Sequence, residues 1–335
     1  MGVAKLGDRW RTVEGQALAE EAVARMVAGR GLDGLGLGWH DGRVDLRGLP
    51  APVPSRLRRF ESQGWFVEVL GNLITFRGVR LRGLDLSGAQ LQSWRFFGSQ
   101  VADCRLDGAS CQDWRLWDTE VADCGLSRAS LRDAAVGTWH EGRRNAWRRV
   151  DFGRSDFRVV EPLEAVFEDC DFSGAKIRGV NFSQCSFARC RFAGAIREVL
   201  FDGRDLSPER PAPPQMNMVD FRSALFCDVD IRGFDMEDVM LPDDPDVRLY
   251  RRARCVAQRG NQLLDGDDGI SARMLRADLE NRLRGPGDDQ EASVFNRRDY
   301  EQSGGTDLVL LAEGVLGRAE SECRRSRNPV REPCQ

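Results

Sequence analysis

The sequence has very little of several residue types on which enzymes often depend. His40 and His140 are the only histidines, and Lys5 and Lys176 are the only lysines, in a chain of 335 residues. Ten cysteines are present, but no Cys-x-x-Cys pair occurs, so the pattern of a zinc site is absent. Neither histidine is accompanied by a nucleophile or a metal-binding triad. We therefore predict no catalytic residue, no cofactor and no metal.

Long apolar runs are also missing from the sequence. The first ten residues, MGVAKLGDRW, contain no run of the kind found in signal peptides, and no stretch approaches the length of a membrane span. Charges nearly balance, with 53 Asp and Glu against 49 Lys and Arg. We therefore predict a cytoplasmic protein with no membrane contact.

The sequence does contain an internal repeat. Residues 94–133 divide into two lines of twenty, WRFFGSQVADCRLDGASCQD and WRLWDTEVADCGLSRASLRD. Within each line a large apolar residue recurs every five positions, in a series that runs from Phe76 to Val136. Neither a helix nor a strand has this period. A chain that turns a corner every five residues does have it, and four such sides close a coil of twenty.

Several of these quintets resemble the pentapeptide repeat family, whose loose consensus is A(D/N)LXX. The nearest are DLSGA at 85–89, RLDGA at 105–109, DFSGA at 171–175 and VNFSQ at 180–184. The family's fold is a right-handed four-sided β-helix. The resemblance therefore implies an all-β solenoid over residues 73–241, interrupted by loops at 137–149 and 207–217.

The flanking sequences predict helical units. Residues 13–28 have the spacing of an amphipathic helix, residues 55–63 suggest a short helix and residues 65–70 a strand. Because a solenoid exposes the interior of its first coil, we assign residues 1–72 as an N-terminal helix and cap. Helical spacing returns after the coil, including a stretch around Val294 and Phe295, so residues 242–325 are assigned to a C-terminal helical domain and 326–335 to a disordered tail.

The five-residue period also explains most of the cysteines. Five of them occupy the small inward position of a quintet and one occupies the large inward position: Cys104, Cys124, Cys170, Cys185, Cys190 and Cys111. Free cysteine behaves as a small, readily buried hydrophobic residue. We therefore interpret these thiols as reduced core residues, in keeping with the cytosol.

The loop at 137–149 carries the first candidate site. It has a net charge of +3 and interleaves aromatic and charged residues: Trp139, His140, Glu141, Arg143, Arg144 and Trp147. Arginine and aromatic side chains on a projecting loop are typical of a partner-binding tip. A solvated loop that folds back on its own coil remains the alternative.

Both histidines lie in similar segments, WHDGR at 39–43 and WHEGR at 139–143. An acid next to each histidine could suggest acid-base chemistry, with Asp41 or Glu141 as the partner. Adjacent residues on a turn seldom point at the same place, so we favour two turns in which tryptophan covers an edge. An enzyme or biosynthetic accessory protein, with a site near the WHEGR loop and the helical tail, is the alternative function.

Acidic columns are the second candidate site. A coil of twenty stacks Asp103 on Asp123 and Asp113 on Asp133, and stacked like charges lower stability unless they are paired or functional. The family resemblance implies a comparison with members that protect DNA gyrase by mimicking DNA. Residues 73–136 have no net charge, however, and residues 150–241 have a net charge of −6.

The function predicted from the sequence is thus a non-enzymatic scaffold that binds a macromolecular partner through its sides and loops. The partner is a protein, with a type II topoisomerase as the specific hypothesis, and no direct contact with nucleic acid is expected. The terminal units cap the solenoid or form a homodimer.

Overall fold

The fold is described from a computed structural model. The structure describes residues 6–51, 57–62, 65–70, 73–140, 142–204, 214–284 and 291–325. Glu141, residues 207–213 of the second predicted loop and the predicted disordered tail at 326–335 lie outside the described residues.

The centre of the molecule is a stack of coils. Strands twenty residues apart pair in parallel, so that Phe76 aligns with Phe96 and Phe96 with Leu116. The backbone has a positive φ at every fifth residue, for example at Gly98, and at Asp103 (50°). Glycine, and less readily aspartate and asparagine, adopts this conformation at low cost, which explains why glycine and aspartate occupy many of the corners. The predicted solenoid is confirmed.

Each coil has four sides, which we number along the chain. Side 1 contains the strands Thr75–Arg77, Arg95–Phe97 and Arg115–Trp117. Side 2 is a seven-stranded parallel sheet of Arg80–Arg82, Gln100–Ala102, Glu120–Ala122, Ala146–Arg148, Val166–Glu168, Ser186–Ala188 and Met216–Asn217. Side 3 contains Arg43–Asp45, Leu84–Asp85, Asp171–Ser173 and the start of Arg191–Asp202. Side 4 begins with single bridges such as Gln90 to Ser110, and later includes Ile177–Asn181, the middle of Arg191–Asp202 and the start of Ala224–Arg232. The last three strands continue onto side 1.

The large inward residues form the core. All thirteen positions of the series from Phe76 to Val136 are buried. In the later coils phenylalanine rings stack along the axis, with centroids 4.7 Å apart between Phe152 and Phe172 and again between Phe172 and Phe192. The six cysteines assigned to inward positions are buried as predicted. Burial raises the pKa of Cys185 to about 12, because the thiolate loses its solvation.

The N-terminal segment packs on the first coil. A 3-10 turn at Asp8–Trp10 precedes helix α1 (Val13–Val27), whose N-cap Thr12 accepts a hydrogen bond from Gly15 N at 3.0 Å. Ala22 and Met26 belong to the same buried cluster as the solenoid core. The parallel pairing itself begins earlier than residue 73, because Arg43–Asp45 pairs with Leu84–Asp85.

One predicted helix is wrong. Leu57–Ser62, within the segment assigned to a short helix, is a strand paired antiparallel with Trp65–Leu70. The six residues LRRFES do not alternate strictly between apolar and polar, so their sequence alone does not indicate a strand. The strand is formed by pairing with Trp65–Leu70.

Three departures from the twenty-residue interval occur along the described coils, and one of them pairs Phe187 with Met216, 29 residues later, across the second predicted loop. Val121 aligns with Trp147 rather than with residue 141, so this coil has 26 residues, and the six additional ones lie in the segment between Val136 and Ala146. Ile177 aligns with Ile196, which makes that coil one residue short. The predicted loop boundaries at 149 and 217 are therefore too late, since Ala146–Arg148 and Met216–Asn217 are strands of side 2.

The C-terminal unit contains helices α2 (Ala253–Leu263), α3 (Ile270–Leu283) and α4 (Arg297–Arg325), the last broken at Gly304 and Gly305. The stretch around Val294 and Phe295 was predicted to be helical but is the strand Ser293–Asn296, paired antiparallel with Val247–Tyr250. A disulfide joins Cys255 of α2 to Cys323 of α4. The interpretation as reduced thiols covered the six cysteines of the coil and not this pair, which lies outside the coil and shows no periodic signal.

The C-terminal unit is attached to the last coils. Asn296 donates from Nδ2 to Phe226 O at 3.0 Å, and Glu291 accepts from Gly233 N at 3.0 Å. Ala292 and Val294 are buried within the solenoid cluster, whereas the three helices enclose a second cluster of their own. None of the helices in the described part of the chain has the length and apolarity needed to cross a membrane.

Candidate partner-binding hairpin

The first candidate loop forms a β-hairpin at the corner between sides 1 and 2. Trp139 pairs with Arg144 and His140 with Arg143, and Gly142 in the turn has φ 81°. The hairpin leaves the coil at Gly137, where a Cβ atom would lie 2.0 Å from the carbonyl oxygen of Pro162. Glycine is required there because no side chain fits. We call the segment 138–145 the corner hairpin.

A matching hairpin precedes the first full coil. Trp39 pairs with Val44 and His40 with Arg43, and both turn residues, Asp41 and Gly42, have positive φ. Two positive φ values are typical of the type I′ turn, which fits the twist of a two-residue hairpin. The structure thus supports the interpretation of both WH(D/E)GR segments as turns.

One residue of the predicted site lies elsewhere. Trp147 was placed on the loop, but it occupies the large inward position of side 2 and is fully buried. Its Nε1 donates to Val136 O at 3.0 Å, and its ring lies 5.4 Å from that of Phe152. The five-residue interval from Trp147 to Phe152 could have revealed this, because it continues the period without a break.

The two arginines of the corner hairpin have different roles. Arg144 folds back onto the coil, donating from Nε to Glu164 O at 2.5 Å and from Nη1 to Ser186 Oγ at 3.1 Å. Arg143 points outward with 74% of its side chain exposed, and its contact with Asp118 is long, at 3.3 Å. Arg144 therefore anchors the hairpin, while Arg143 remains accessible to a partner.

Grooves lie on both sides of the corner hairpin. The groove on side 2 encloses about 450 Å³ and is lined mainly by polar residues, among them Arg80, Gln100, Glu120 and Arg148. The groove on side 1 encloses about 290 Å³ and is lined by Trp117, Trp139 and Leu163 together with Glu161 and Glu164. We call the second one the aromatic groove.

The aromatic groove continues into an external ladder that the sequence analysis missed. Phe97 and Trp117 stack with centroids 4.3 Å apart, and the Arg77 guanidinium lies 4.2 Å from the Phe97 ring centroid. All three project outward from side 1. The twenty-residue alignment already places Phe97 and Trp117 at the same position, directly after an inward residue. An outward aromatic residue on two successive coils has no role in the core.

The predicted acidic column at the corner of sides 2 and 3 is paired with arginines. Arg43 contacts Asp103 at 2.5 Å, and Arg149 contacts Asp123 through two hydrogen bonds of 2.5 and 2.8 Å. The Arg149 hydrogen bonds lower the pKa of Asp123. The same corner continues on the next coils as Arg149, Asp169 and Arg189, where Arg189 contacts Asp169 at 2.6 Å. Negative and positive residues therefore alternate along this column from Asp123 onward.

The other predicted column is paired in part. Arg95 contacts Asp113 at 2.7 Å and Arg115 contacts it at 2.9 Å. Burial alone would raise the pKa of Asp113, but the hydrogen bonds from Arg95 and Ser93 outweigh it and the pKa is lowered. Asp133 is exposed, and Arg115 reaches its carbonyl oxygen.

His40 contacts a carboxylate other than that of its neighbour in the sequence, and Glu141 lies outside the described residues. His40 Nδ1 lies 4.0 Å from Asp41 but 2.6 Å from Oδ2 of Asp85, which is fully buried. His140 packs its ring against the edge of Phe97, and its buried Nδ1 has no hydrogen-bond partner. No cluster of His, Cys, Asp and Glu suited to a metal ion occurs among the described residues.

One family model agrees with the repeat architecture of the coils. A family model described as pentapeptide repeats matches residues 164–196, whereas curated protein sequences give no match. Among solved structures, a trypsin-treated variant of QnrB1, a plasmid-mediated fluoroquinolone resistance protein, is 24% identical over 50% of this chain and 83% of that chain, with a TM-score of 0.25. The pentapeptide repeat protein Rfr23 from the cyanobacterium Cyanothece 51142 is 13% identical over 35% of this chain and 86% of that chain, with a TM-score of 0.23.

Scores this low support no inference about function. The family match falls on the coils that run through Phe167, Phe172 and Phe187, and the same inward positions and corners recur on the earlier coils. Residues 164–196 of the solenoid match the pentapeptide repeat family.

Proposed function

We propose that the chain is a non-enzymatic scaffold that binds a protein partner at the corner hairpin and the aromatic groove. One observation carries this proposal: Trp117 of the coil and Trp139 of the hairpin line the same concave surface. Tryptophan and arginine dominate the binding energy of protein interfaces, particularly where they border a pocket. Leu163, with 42% of its surface exposed, adds an apolar contact at the same place.

Rigidity of the groove supports the proposal. The ladder of Phe97 and Trp117 stands on paired strands of side 1, and Arg144 ties the corner hairpin to the two following coils. A surface that is already ordered loses little conformational entropy on binding. The exposed Arg143 at the hairpin tip adds a charge that favours encounter with a negatively charged partner surface.

The matching hairpin provides a control for this function. Trp39 has 70% of its surface exposed and occupies the same hairpin position as Trp139, but no ladder like that of Phe97 and Trp117 lies beside it. The immobilised chain is expected to retain its partner protein from an extract of the native host. We expect the Trp117→Ala, Trp139→Ala double variant to lose this partner and Trp39→Ala to retain it. Quantitative mass spectrometry of the bound fractions measures this, with circular dichroism to confirm folding. Equal retention by all three proteins would contradict the proposal.

DNA gyrase is the specific partner that the family resemblance suggests, through mimicry of DNA. Asp103 and Asp123 favour it, because they lie one coil apart with 45% and 51% of their side chains exposed. Their pairing with Arg43 and Arg149 weighs against it, because a mimic needs a continuous negative potential. We therefore expect purified chain to leave gyrase supercoiling unchanged, with or without a quinolone. Protection that is abolished by Asp103→Arg with Asp123→Arg would instead establish the mimic.

A further inference from the structure

Side 4 of the solenoid carries a column of arginines, one on each of four successive coils. They are Arg132, Arg158, Arg178 and Arg197. The bridges from Ser130 to Asp156 and from Asp156 to Lys176 align the first three coils, and Arg178 pairs directly with Arg197. We call these four residues the arginine column.

The charge around this column is opposite in sign to that of the chain. The surrounding segments are 128–133, 154–159, 174–179 and 194–198, and together they contain seven basic and three acidic residues, a net charge of +4. Lys176 lies on the same side, and Arg128 and Arg154 stand at the adjoining corner. The whole chain has a net charge of −4. Side 4 is therefore positive over these four coils, although the chain as a whole is negative.

Two members of the column already bind carboxylates. Arg158 contacts Asp156 through hydrogen bonds of 2.8 and 2.6 Å, and Arg178 contacts Glu198 at 3.1 and 2.7 Å. In both pairs the guanidinium presents two nitrogens to one carboxylate, which is the strongest geometry for such a contact. The column thus has the orientation that carboxylate binding requires.

The other two members lack such a partner. Arg132 is exposed and makes no ion pair with any residue that the structure describes, and Arg197 donates from Nη1 only to Cys227 Sγ, at 3.8 Å, among those residues. Adjacent strands lie about 4.8 Å apart, so stacked arginines repel one another. An external anion would relieve this repulsion at Arg132 and Arg197.

We propose that side 4 binds an extended acidic segment of a partner protein, whose carboxylates pair with the arginine column. Apolar residues at its margins fit a protein ligand. Val159 and Leu225 have 54% and 59% of their surfaces exposed, and Val159 also holds a φ of 58°, which is unfavourable for a β-branched residue. Interfaces between proteins combine arginine with such apolar contacts.

The width of the basic side disfavours nucleic acid. Asp133 and Glu198 stand at one corner, and Asp151 and Asp171 occupy side 3 beyond the other. A duplex, being wider than one side of the coil, would bring its phosphates against these acids. The outward positions of side 4 also contain no aromatic residue among those described, so unpaired bases would have nothing on which to stack.

Binding of a short fluorescein-labelled polyglutamate peptide to the full chain, followed by fluorescence anisotropy, tests the proposal. The column variant replaces Arg132, Arg178 and Arg197 by glutamine. The control variant makes the same change in charge elsewhere. It replaces the exposed residues Arg30, Arg82 and Arg273.

We expect the column variant to bind about tenfold more weakly, since the ion pairs of the peptide with Arg132 and Arg197 are lost together with the positive charge of Arg178, and the control variant to bind within about twofold of the unmodified chain. An equal loss in both variants, or no measurable binding at all, would overturn the proposal, as would tighter binding of a labelled DNA duplex. The inference is independent of the corner hairpin. The Trp117→Ala, Trp139→Ala variant should bind the peptide normally even if the partner of the hairpin is lost.

Discussion

Replacement of Trp147 by alanine tests the register of the coil at the point where the hairpin is inserted. The indole is fully buried, aligned with Val121 on one coil and Phe167 on the next. Truncation of a buried tryptophan lowers the free energy of unfolding by about 3–5 kcal/mol. Loss of the hydrogen bond to Val136 O contributes about 1 kcal/mol to this.

Trp139→Ala is the matched control, because it removes the same side chain from the half-exposed hairpin. We expect it to cost less than about 1 kcal/mol. With a urea m-value of about 3 kcal/mol/M, a loss of about 4 kcal/mol at Trp147 lowers the midpoint by more than about 1 M. Far-ultraviolet circular dichroism of the intact chain measures both midpoints, since indole fluorescence would mix the signals of eight tryptophans.

Similar, small shifts for the two variants would refute this placement of Trp147. The indole would then lie on the surface of the loop, as the sequence analysis supposed, and the coil would lack an inward residue on side 2. A large shift for Trp139→Ala alone would place the wrong tryptophan in the core.

Three further substitutions and one chemical treatment have expected outcomes. His40→Ala should lower the free energy of unfolding by about 1–3 kcal/mol in urea titrations, because the Oδ2 atom of buried Asp85 loses the contact with His40, whereas His140→Ala should change it by less than about 0.5 kcal/mol. Reduction of the Cys255–Cys323 disulfide should destabilise the C-terminal helices by about 2–4 kcal/mol, seen as a lower thermal midpoint for their helical signal. Val159→Asn should raise stability by about 1 kcal/mol, because asparagine tolerates the left-handed conformation better; an unchanged or lower urea midpoint would contradict it.

The interior of the coil could be predicted from the sequence because each inward position is constrained by the same geometry. A shift of one residue at Phe96 or Leu106 would move a large apolar side chain into solvent, so the period is conspicuous. A single quintet before the coil, VDLRG at 44–48, fits this period too. One quintet alone is too short to be distinguished from chance. Its pairing with Leu84–Asp85 became evident only in three dimensions.

Features that depend on contacts between distant residues could not be predicted. Cys255 and Cys323 are 68 residues apart on helices whose packing no local pattern specifies. The contact between His40 and Asp85 is similar, since the sequence places Asp41 next to His40 and gives no sign of the buried carboxylate. Local sequence proximity suggested the wrong partner in this case.

The arginine column could not be recognised in the sequence, because two of the changes of register fall within it. Arg132 and Arg158 are 26 residues apart, Arg158 and Arg178 are 20 apart, and Arg178 and Arg197 are 19 apart, so no fixed interval connects them. For the acidic columns, a strict interval of twenty residues gave a column of acidic residues alone. It connected Asp103 to Asp123 but did not show that Arg149 stands next in the same column.

Extra residues in this solenoid are accommodated at corners, and this explains how a repeat can acquire specific surfaces. A residue added within a side would reverse every inward and outward position that follows on that side, whereas one added at a corner leaves the next side in register. The six residues added before Ala146 build the corner hairpin, yet Trp147 still aligns with Val121. The same tolerance lets Arg132 and Arg158 stack although their spacing differs from that of the next pair. Binding surfaces of this protein should therefore be sought at corners that carry insertions and in columns read through those insertions.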